Sequence, residues 1–235
     1  MIFYDLPDDV LAFTAGKGVE GTAYGVDARE TGIHTDCFHL PSHQIMIPRQ
    51  THSTNVAWVD HPGEIADTDA VITSLPGLCV AVKTADCIPV LLYDEALHLI
   101  AAIHAGWRGT VGKIVEKTIH EMGSRGEDIR AIIGPGISLE AFEIGDEVYE
   151  AFHQAGFPVS LIAKRFAVQM SQNDSRISKW HIDLWEANKW LLEQCGVGSV
   201  YVSGICTYNN TSDFYSARQE TINTGRNING IMLPS

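Results

Sequence analysis

The stretch LCVAVKTADCIPVLLYDEALHLIAAIHAGWRGTVGKIVEKTIHEMG, residues 78–123, decides the fold. Its apolar runs at 78–83, 88–93 and 97–103 are short and separated by polar residues, which predicts three buried strands. A helix follows, because one stripe of the next segment is mostly apolar and Gly123 ends it. That stripe consists of Val111, Ile114, Val115, Thr118, Ile119 and Met122.

Outward from this stretch, strands and helices continue without strict alternation. No repeat, linker or low-complexity segment separates them, so we predict a single domain, residues 1–235, of the α/β or α+β class. Basic and polar residues at 157–180 predict a loop or hairpin near a pocket. The other predicted elements are strands at 129–134, 199–207 and 230–234, and helices at 144–156 and 182–196 that end at glycine.

Composition excludes several classes of protein. The net charge of −13 argues against non-specific binding to nucleic acid or to anionic lipid, although local arginines still allow an anionic small substrate. No apolar run approaches the roughly 18 residues of a membrane span. The acidic start MIFYDLPDDVLAF lacks the basic region of a signal peptide, which predicts a soluble, cytoplasmic protein. The five scattered cysteines form no CxxC pair, which argues against a disulfide framework.

Three candidate metal ligands stand at the edges of apolar runs. They are His52 in RQTHSTNV, Cys87 in KTADCIPVLL and His104 in AIHAGWRG. Two imidazoles and a thiolate suit zinc or another borderline metal, and three protein ligands leave a fourth position open, as in catalytic zinc sites. Taken singly, Cys87 is more typical of a small buried apolar residue, and each histidine is more typical of a hydrogen-bonded core or surface group. The spacings between the three are also too long for a local metal motif.

The turn after His104 is a candidate anion site. Gly106 and Gly109 permit a close approach of backbone around His104. A helix beginning near Thr110 directs free N–H groups toward the turn, and Arg108 offers a fork of donors suited to phosphate or carboxylate. Thr110 as a simple N-cap and Arg108 as a solvated charge remain the alternatives.

Eight segments in this order resemble the YfiH-type family, also called the multicopper polyphenol oxidase or laccase-domain family and, more recently, a purine nucleoside phosphorylase family. The resemblance runs from about residue 44 to the C-terminus. The segments are RQTHSTNV, DTDAVIT, KTADCIPVLLYD, AAIHAGWRGT, AIIGPGIS, HIDLWEANKWLLEQCGV, ICTYNNTSDFYSARQE and NTGRNINGIML.

The resemblance implies a single-domain mixed α/β fold with sheets flanked by helices. It also implies one zinc, with copper as the alternative metal, held by His52, Cys87 and His104. The implied reaction is phosphorolysis of adenosine, inosine, guanosine and methylthioadenosine by a monomer or small homo-oligomer, with adenosine deaminase as a side activity. Copper-dependent phenol oxidation and removal of wrong amino acids from peptidoglycan precursors have also been attached to the family.

Two segments depart from the family pattern. The family's N-terminal block, rich in Asn, Gly and Leu and ending in Gly-Asp, is not visible in residues 14–36. The usual Tyr-Ser-Tyr-Arg-Arg is YSARQ here, residues 215–219, so one aromatic residue and one arginine are missing. We therefore expect substrate preference or rate to differ if this segment contacts substrate, and we retain Arg218 as a candidate ligand.

Phosphorolysis requires phosphate on one face of ribose C1′ and a purine that leaves from the other, through a transition state resembling that of glycoside cleavage. The protein must orient and neutralise the phosphate. We expect Arg108, the helix start at Thr110, and Arg49 to do so. Lys83 is a further candidate for the phosphate, with a solubilising strand-edge charge as its alternative.

Two acidic residues near the ligands are candidates for supporting roles. Asp86 interrupts an apolar run immediately before Cys87, and a buried polar group needs a partner. We expect Asp86 to orient a ligand or to move a proton. Asp69 is a candidate for the same two roles or for capping a turn.

Three rival interpretations remain open. A thiol hydrolase would use Cys87 as nucleophile with a nearby histidine as base, and would need no zinc. A copper oxidase would need an axial methionine, for which Met46 is the one candidate close to a ligand in sequence, together with more clustered histidines. A structural zinc site would need a fourth Cys or His, and the sequence offers no obvious one.

Overall fold

The computed structural model describes residues 1–36, 38–168 and 177–235. Six α-helices are described, α1 (Ala28–Thr31), α2 (Trp107–Val111), α3 (Ile114–Met122), α4 (Asp146–Gln154), α5 (Val159–Ile162) and α6 (Leu184–Gln194). The described strands are β1 (Ile2–Tyr4), β2 (Leu11–Ala15), β3 (Ile33–Thr35), β4 (Phe38–Leu40), β5 (Ile45–Met46), β6 (Val56–Trp58), β7 (Ala70–Thr73), β8 (Cys79–Thr84), β9 (Ile88–Asp94), β10 (Leu99–Ala105), β11 (Ile129–Ile133), β12 (Glu143–Ile144), β13 (Ala163–Val168), β14 (Ile177–Ile182), β15 (Ser199–Val202) and β16 (Asn227–Met232).

Two large sheets carry the fold, which confirms the predicted mixed α/β class. One has six strands in the order β15-β11-β9-β10-β7-β6, and the other has five in the order β1-β2-β16-β8-β5. Every residue of β9 and β10 is buried. Both faces of these strands are covered, which explains why the sequence shows continuous apolar runs rather than alternation.

The two sheets pack face to face, and a helical layer covers the outer face of the six-stranded sheet. Leu91 and Ile100 point between the sheets, whereas their neighbours Leu92 and Ala101 point toward the helices, as the two-residue period of strands requires. Helices α3, α4 and α6 form that helical layer. The outer face of the five-stranded sheet packs on α1 and the β3–β4 hairpin.

The predicted helix after the Gly-rich turn is divided in two. Helix α2 begins at Trp107, three residues before the expected start at Thr110, and Lys113 interrupts it with a φ of 58° before α3 begins at Ile114. The apolar stripe is correct for α3, which ends at Gly123 in the left-handed conformation.

Other boundaries also differ from expectation. In the predicted helix 144–156, Ile144 belongs to β12 and α4 begins at Asp146. The predicted helix 182–196 is α6, which Asp183 caps by accepting a hydrogen bond from the backbone N–H of Glu186 at 2.9 Å. Strand β15 ends at Val202, five residues earlier than predicted. The sequence did not predict β1 and β2.

The segment 157–180, predicted as a loop or hairpin, contains the short helix α5 and then a hairpin where it is described. Strands β13 and β14 pair antiparallel, and β12 extends them to a three-stranded sheet. Residues 169–176 lie outside the described part of the chain. None of the described residues at 157–180 lines the cavity discussed below.

The described residues can be compared with two expectations from composition, which concern disulfides and membrane spans. The four cysteines that the structure describes, Cys79, Cys87, Cys195 and Cys206, are free. Within the described ranges, no helix combines the length and apolar character needed to cross a bilayer.

Candidate metal centre and active-site cavity

His104 lies near the end of β10, opposite Pro89 of β9, and is 4% exposed. Its Nδ1 forms a hydrogen bond of 2.7 Å with Oδ1 of Asp69, and its backbone N–H donates to the Asp69 carbonyl at 2.8 Å. A proton on Nδ1 leaves Nε2 as the free lone pair. Asp69 therefore orients the ring of His104 and favours the neutral tautomer whose Nε2 could bind a metal.

Cys87 lies in the tight connection between β8 and β9, directly after Asp86, whose φ is 90°. The Asp86 carboxylate is buried and accepts hydrogen bonds from the Thr207 hydroxyl and from the backbone N–H of Arg218, both at 2.7 Å. These bonds explain the polar break in an apolar run, because a buried carboxylate needs partners. They fix the connection that carries Cys87.

His52 lies on the loop between β5 and β6 and has a φ of 61°, a conformation rare for a residue with a side chain. The buried Asp69 holds this loop as well. Its carboxylate accepts hydrogen bonds from the backbone N–H groups of Thr51, His52 and Ser53 and from the Ser53 hydroxyl, at 2.7–3.1 Å. The Asp69 carboxylate thus couples the loop of His52 to the strand of His104.

Gln50 attaches the same loop to β8. Its side chain donates to the carbonyl of Lys83 at 2.7 Å and accepts from the backbone N–H of Lys83 at 2.8 Å. Because Lys83 and Cys87 are four residues apart, this pair of bonds brings the loop of His52 close to the connection that carries Cys87.

The potential ligand atoms of His52, Cys87 and His104 all lie within 4.8 Å of one another. Cys87 Sγ and His52 Nε2 are 3.8 Å apart. Tetrahedral zinc with N and S ligands at about 2.0 and 2.3 Å would place such atoms about 3.5 Å apart. In the described ranges this is the one cluster of at least three His, Cys, Asp or Glu side chains arranged to share an ion. The donor set and its spacing fit a metal.

Gly106 allows this approach. A Cβ at this position would stand 3.1 Å from Cys87 Sγ and 3.1 Å from Cδ2 of His52. The φ of Gly106 is −68°, so backbone conformation does not require glycine here. The absence of a side chain favours this approach, because a Cβ would crowd the sulfur and the imidazole unless they shift by a few tenths of an ångström.

Without a metal, the charges of the cluster favour a thiolate on Cys87 beside a protonated His104, so a metal would bind by displacing the proton from Nε2 of His104. Burial raises the pKa of the Cys87 thiol, but the nearby positive charge of His104 and hydrogen bonds from His104 and His52 lower it overall to about 6. Burial lowers the pKa of His104, but the Cys87 thiolate and Asp69 raise it overall to about 9. Burial also raises the pKa of Asp69, and its hydrogen bonds with His104, Ser53 and Thr51 outweigh that effect and keep it well below the usual range.

The cluster opens into a cavity of about 500 Å³. Positive side chains converge on it from four separate segments, with one carboxylate among them. The charged residues that line the cavity are Arg29, Arg49, Lys83, Arg226 and Glu64. The remaining lining residues are Gly21, Thr22, Ala23, Tyr24, Gly25, Val26, Pro48, Gln50, His52, Thr84, Ala85, Cys87, His104, Ala217, Ile222, Thr224 and Gly225.

The side chains of two of these cations face the cavity and have few hydrogen-bond or ion-pair partners within the described residues. Lys83 is half-buried, and burial lowers the pKa of its ammonium group. Arg49 is exposed. Arg29, in contrast, is ion-paired with both Asp27 and Glu64. The guanidinium of Arg226 donates to backbone carbonyls of residues 222, 224 and 225.

Three residues expected to bind substrate lie outside the lining of this cavity. The exposed guanidinium of Arg108 stacks on the ring of Trp107, at 4.4 Å from its centroid. Thr110 is fully buried within α2, and its hydroxyl donates to the carbonyl of Gly106 at 3.0 Å. The guanidinium of Arg218 donates to the carbonyls of residues 141 and 143. The structure thus places Arg49 and Lys83 in the cavity of the His52–Cys87–His104 cluster. Arg108, Thr110 and Arg218 lie outside that lining.

Several lining residues were missed by sequence reasoning. Tyr24 and Arg29 lie within 14–36, where no family block was visible, and Ile222 and Arg226 lie close to the C-terminus. Gln50 stands beside two identified candidates in RQTH, so its position was a usable signal. Residues 21–29 carry no comparable local signal, because only tertiary packing brings them to the cavity.

Residues 15–234 match the protein family described as multi-copper polyphenol oxidoreductase laccase. A purine nucleoside phosphorylase of Bacteroides thetaiotaomicron is 44% identical over 206 residues, which cover 81% of this chain and 73% of that protein. The adenosine deaminase RL5 of an unknown prokaryotic organism is 38% identical over 202 residues, covering 80% of this chain and 74% of that protein. The crystal structure of the Bacillus licheniformis hypothetical protein YfiH superposes with a TM-score of 0.75 and 25% identity, covering 98% of each chain.

Proposed function

Because the chain belongs to the multi-copper polyphenol oxidoreductase laccase family, which includes the YfiH-type proteins, we propose that it is a zinc-dependent purine nucleoside phosphorylase. One observation carries the proposal. The His52–Cys87–His104 cluster shares its cavity with the cations of Arg49 and Lys83, so a metal and a phosphate would meet there. Relatives named purine nucleoside phosphorylase and adenosine deaminase support the same class of substrate.

The reaction transfers the ribosyl group from purine nitrogen to phosphate. A phosphate oxygen forms a bond to C1′, the glycosidic C–N bond breaks, and its electron pair and a proton go to the departing base. Arg49 and Lys83 hold the phosphate and neutralise its charge, so that it is oriented toward C1′. We propose adenosine, inosine, guanosine and methylthioadenosine as substrates.

His52, Cys87 and His104 would hold the metal, and Asp69 orients His104. When bound, zinc polarises a substrate oxygen or lowers the pKa of a bound water to about 7, which would also serve adenosine deamination. Zinc suits two imidazoles and one thiolate, and copper is the alternative metal. Elemental analysis of the purified protein decides between them.

The cavity draws its lining from both ends of the sequence, residues 21–29 and 222–226, as well as from the central β8–β10 segment. This arrangement supports the proposal that residues 1–235 act as a single domain, because a division of the chain between 29 and 222 would separate parts of one cavity lining.

The decisive experiment measures hypoxanthine release from inosine with and without phosphate. We expect release, with stoichiometric ribose 1-phosphate, only when phosphate is present. Release without phosphate would indicate a hydrolase instead. Lys83→Ala and Arg49→Ala should raise the KM for phosphate about tenfold or more, as loss of a charged hydrogen bond predicts. Arg108→Ala is the matched comparison, because Arg108 was expected from sequence to bind phosphate but lies outside the cavity.

A thiol hydrolase acting on amide bonds, such as those of peptidoglycan precursors, is the second candidate. Cys87, His104 and Asp69 are arranged as a nucleophile, a base and an acceptor that orients the base, with the His104–Asp69 hydrogen bond at 2.7 Å. Iodoacetamide would abolish such an activity and a chelator would spare it. A metal-dependent phosphorylase loses activity with either reagent.

A further inference from the structure

Two of the most exposed large apolar side chains in the described part of the chain line the same cavity as the metal cluster. They are Tyr24, 67% exposed, and Ile222, 71% exposed, and Val26 at 41% lies beside them in the lining. A group of exposed apolar side chains around a polar cavity is typical of a ligand-binding mouth. His104 in the same lining is 4% exposed, so the lining extends from exposed apolar side chains to a buried imidazole.

Tyr24 supplies the one large aromatic ring among the lining residues other than the two imidazoles of the metal cluster. Within the described residues, its ring forms no stacked, edge-on or cation–π contact, unlike Tyr4, Tyr149 and Tyr215, each of which has such a contact. An exposed aromatic face at the mouth of a substrate cavity is therefore available to a ligand.

The backbone that carries Tyr24 is fastened on both sides. The Thr22 hydroxyl donates to the carbonyl of Gly16, and the carbonyl of Thr22 accepts from the backbone N–H of Arg226 at 2.9 Å. The N–H of Val26 bonds to the carbonyl of Ala23, closing a turn around Tyr24. These bonds keep the backbone of Tyr24 beside the cavity, while the exposed ring keeps rotamer freedom that stacking would restrict.

A purine nucleoside has a flat π-face at one end and a polar ribose at the other. The buried His104 and the half-buried Cys87 and Lys83 suit phosphate and ribose oxygens, which leaves the exposed apolar side chains of the lining for the base. We infer that Tyr24 is the stacking platform for the purine base, with Val26 and Ile222 as its apolar surround. This inference rests on the proposed function and assigns Tyr24 as a residue that sets affinity for the nucleoside.

Stacking on a base stabilises the substrate and the transition state nearly equally, so its loss raises KM and leaves kcat nearly unchanged. Tyr24→Ala should raise the KM for inosine by about 5- to 150-fold, the range measured for loss of one aromatic–base stack. The KM for phosphate should not change. Tyr24→Phe should restore the wild-type KM to within about twofold, since the phenyl ring keeps the π-face. A residue needed only for folding would change kcat and both KM values together.

The experiment compares wild type, Tyr24→Ala, Tyr24→Phe and Tyr201→Ala in steady-state phosphorolysis of inosine. Calorimetric binding of inosine without phosphate gives an affinity that does not depend on turnover. Tyr201 is the matched control, because it is a 54% exposed tyrosine on β15 that does not line this cavity.

Weaker inosine binding in Tyr24→Ala alone, restored in Tyr24→Phe, supports the assignment. If wild type cleaves inosine and Tyr24→Ala has the same KM and affinity, the stacking assignment is wrong while the phosphorylase proposal stands. If the wild type neither binds nor cleaves any purine nucleoside, the proposed function fails and the assignment fails with it.

Discussion

Replacement of Asp69 by Asn tests the structural logic of the metal centre most directly. The Asp69 carboxylate is fully buried and accepts five hydrogen bonds, two on Oδ1 from His52 N–H and His104 and three on Oδ2 from Thr51 and Ser53. Asparagine has the same shape but accepts on one atom only, and its NH₂ group must face donors on the other side.

The expected loss of unfolding free energy follows from the number of hydrogen bonds that Asp69→Asn removes. With the amide oxygen at the Oδ1 position, the backbone N–H groups of Thr51 and Ser53 lose their acceptor. With the oxygen at the Oδ2 position, His52 N–H and His104 lose theirs. Either orientation removes at least two hydrogen bonds to a charged group, each contributing about 1.5–3 kcal/mol, so unfolding should become easier by about 3 kcal/mol or more.

Thermal unfolding and metal competition with a chromophoric chelator provide the assays. A loss of about 3 kcal/mol should lower the Tm of a chain of this length by about 6 °C or more. Metal affinity should fall about 10- to 100-fold, as is usual when the carboxylate behind a ligand histidine is removed. Asp67→Asn is the matched control, because Asp67 is exposed, has a φ of 48° that Asn tolerates, and does not contact His104. An Asp69→Asn protein that melts and binds metal like Asp67→Asn would refute the reasoning.

The remaining predictions concern the ligands themselves. Cys87→Ala should lose bound metal and turnover together, measured by elemental analysis and nucleoside assay, and a fully active metal-free variant would contradict the assignment. Gly106→Ala should weaken metal binding several-fold while secondary structure stays intact, since the new methyl group would stand 3.1 Å from Cys87 Sγ and from His52 Cδ2. Unchanged metal affinity would show that the three ligand side chains shift to accommodate the methyl group. In metal-free protein, the thiolate of Cys87 exists above its pKa of about 6, so its alkylation, followed by mass spectrometry of its peptide, should reach half its maximal rate near pH 6. Cys195, whose pKa burial raises, should react only at higher pH, and similar pH profiles for the two thiols would oppose the proposed electrostatics.

Local pattern was sufficient for the central elements. The strands β8, β9 and β10 and the helix α3 lie within a few residues of the predicted bounds, because apolar runs, apolar stripes and terminal glycines act over short distances. The short strands β1, at the edge of the five-stranded sheet, and β2, beside it, were missed because their sequences carry little of that signal. Thr110 was expected to begin a helix that in fact begins at Trp107, since the cap there is a glycine with no side-chain signal.

Residue types alone also identified His52, Cys87 and His104 as possible ligands, and the resemblance to a family selected them among many histidines and cysteines. Their convergence within 4.8 Å, however, is a property of packing. It depends on the pairing of β9 with β10, on the five hydrogen bonds to Asp69 and on the space left by Gly106. Only the β9–β10 pairing joins segments that are adjacent in the sequence, whereas the bonds to Asp69 and the space at Gly106 join residues at least 16 positions apart, beyond the reach of a local pattern.

The sequence by itself therefore determined which strands are buried, where the chain turns and which side chains are chemically able to bind a metal. Only the tertiary structure decided that Arg49, Lys83 and Tyr24 share a cavity with those ligands while Arg108 and Thr110 do not. The physical reason is that secondary structure follows from interactions between near neighbours, whereas a cavity is lined by whatever side chains the packing of distant segments leaves facing the same space.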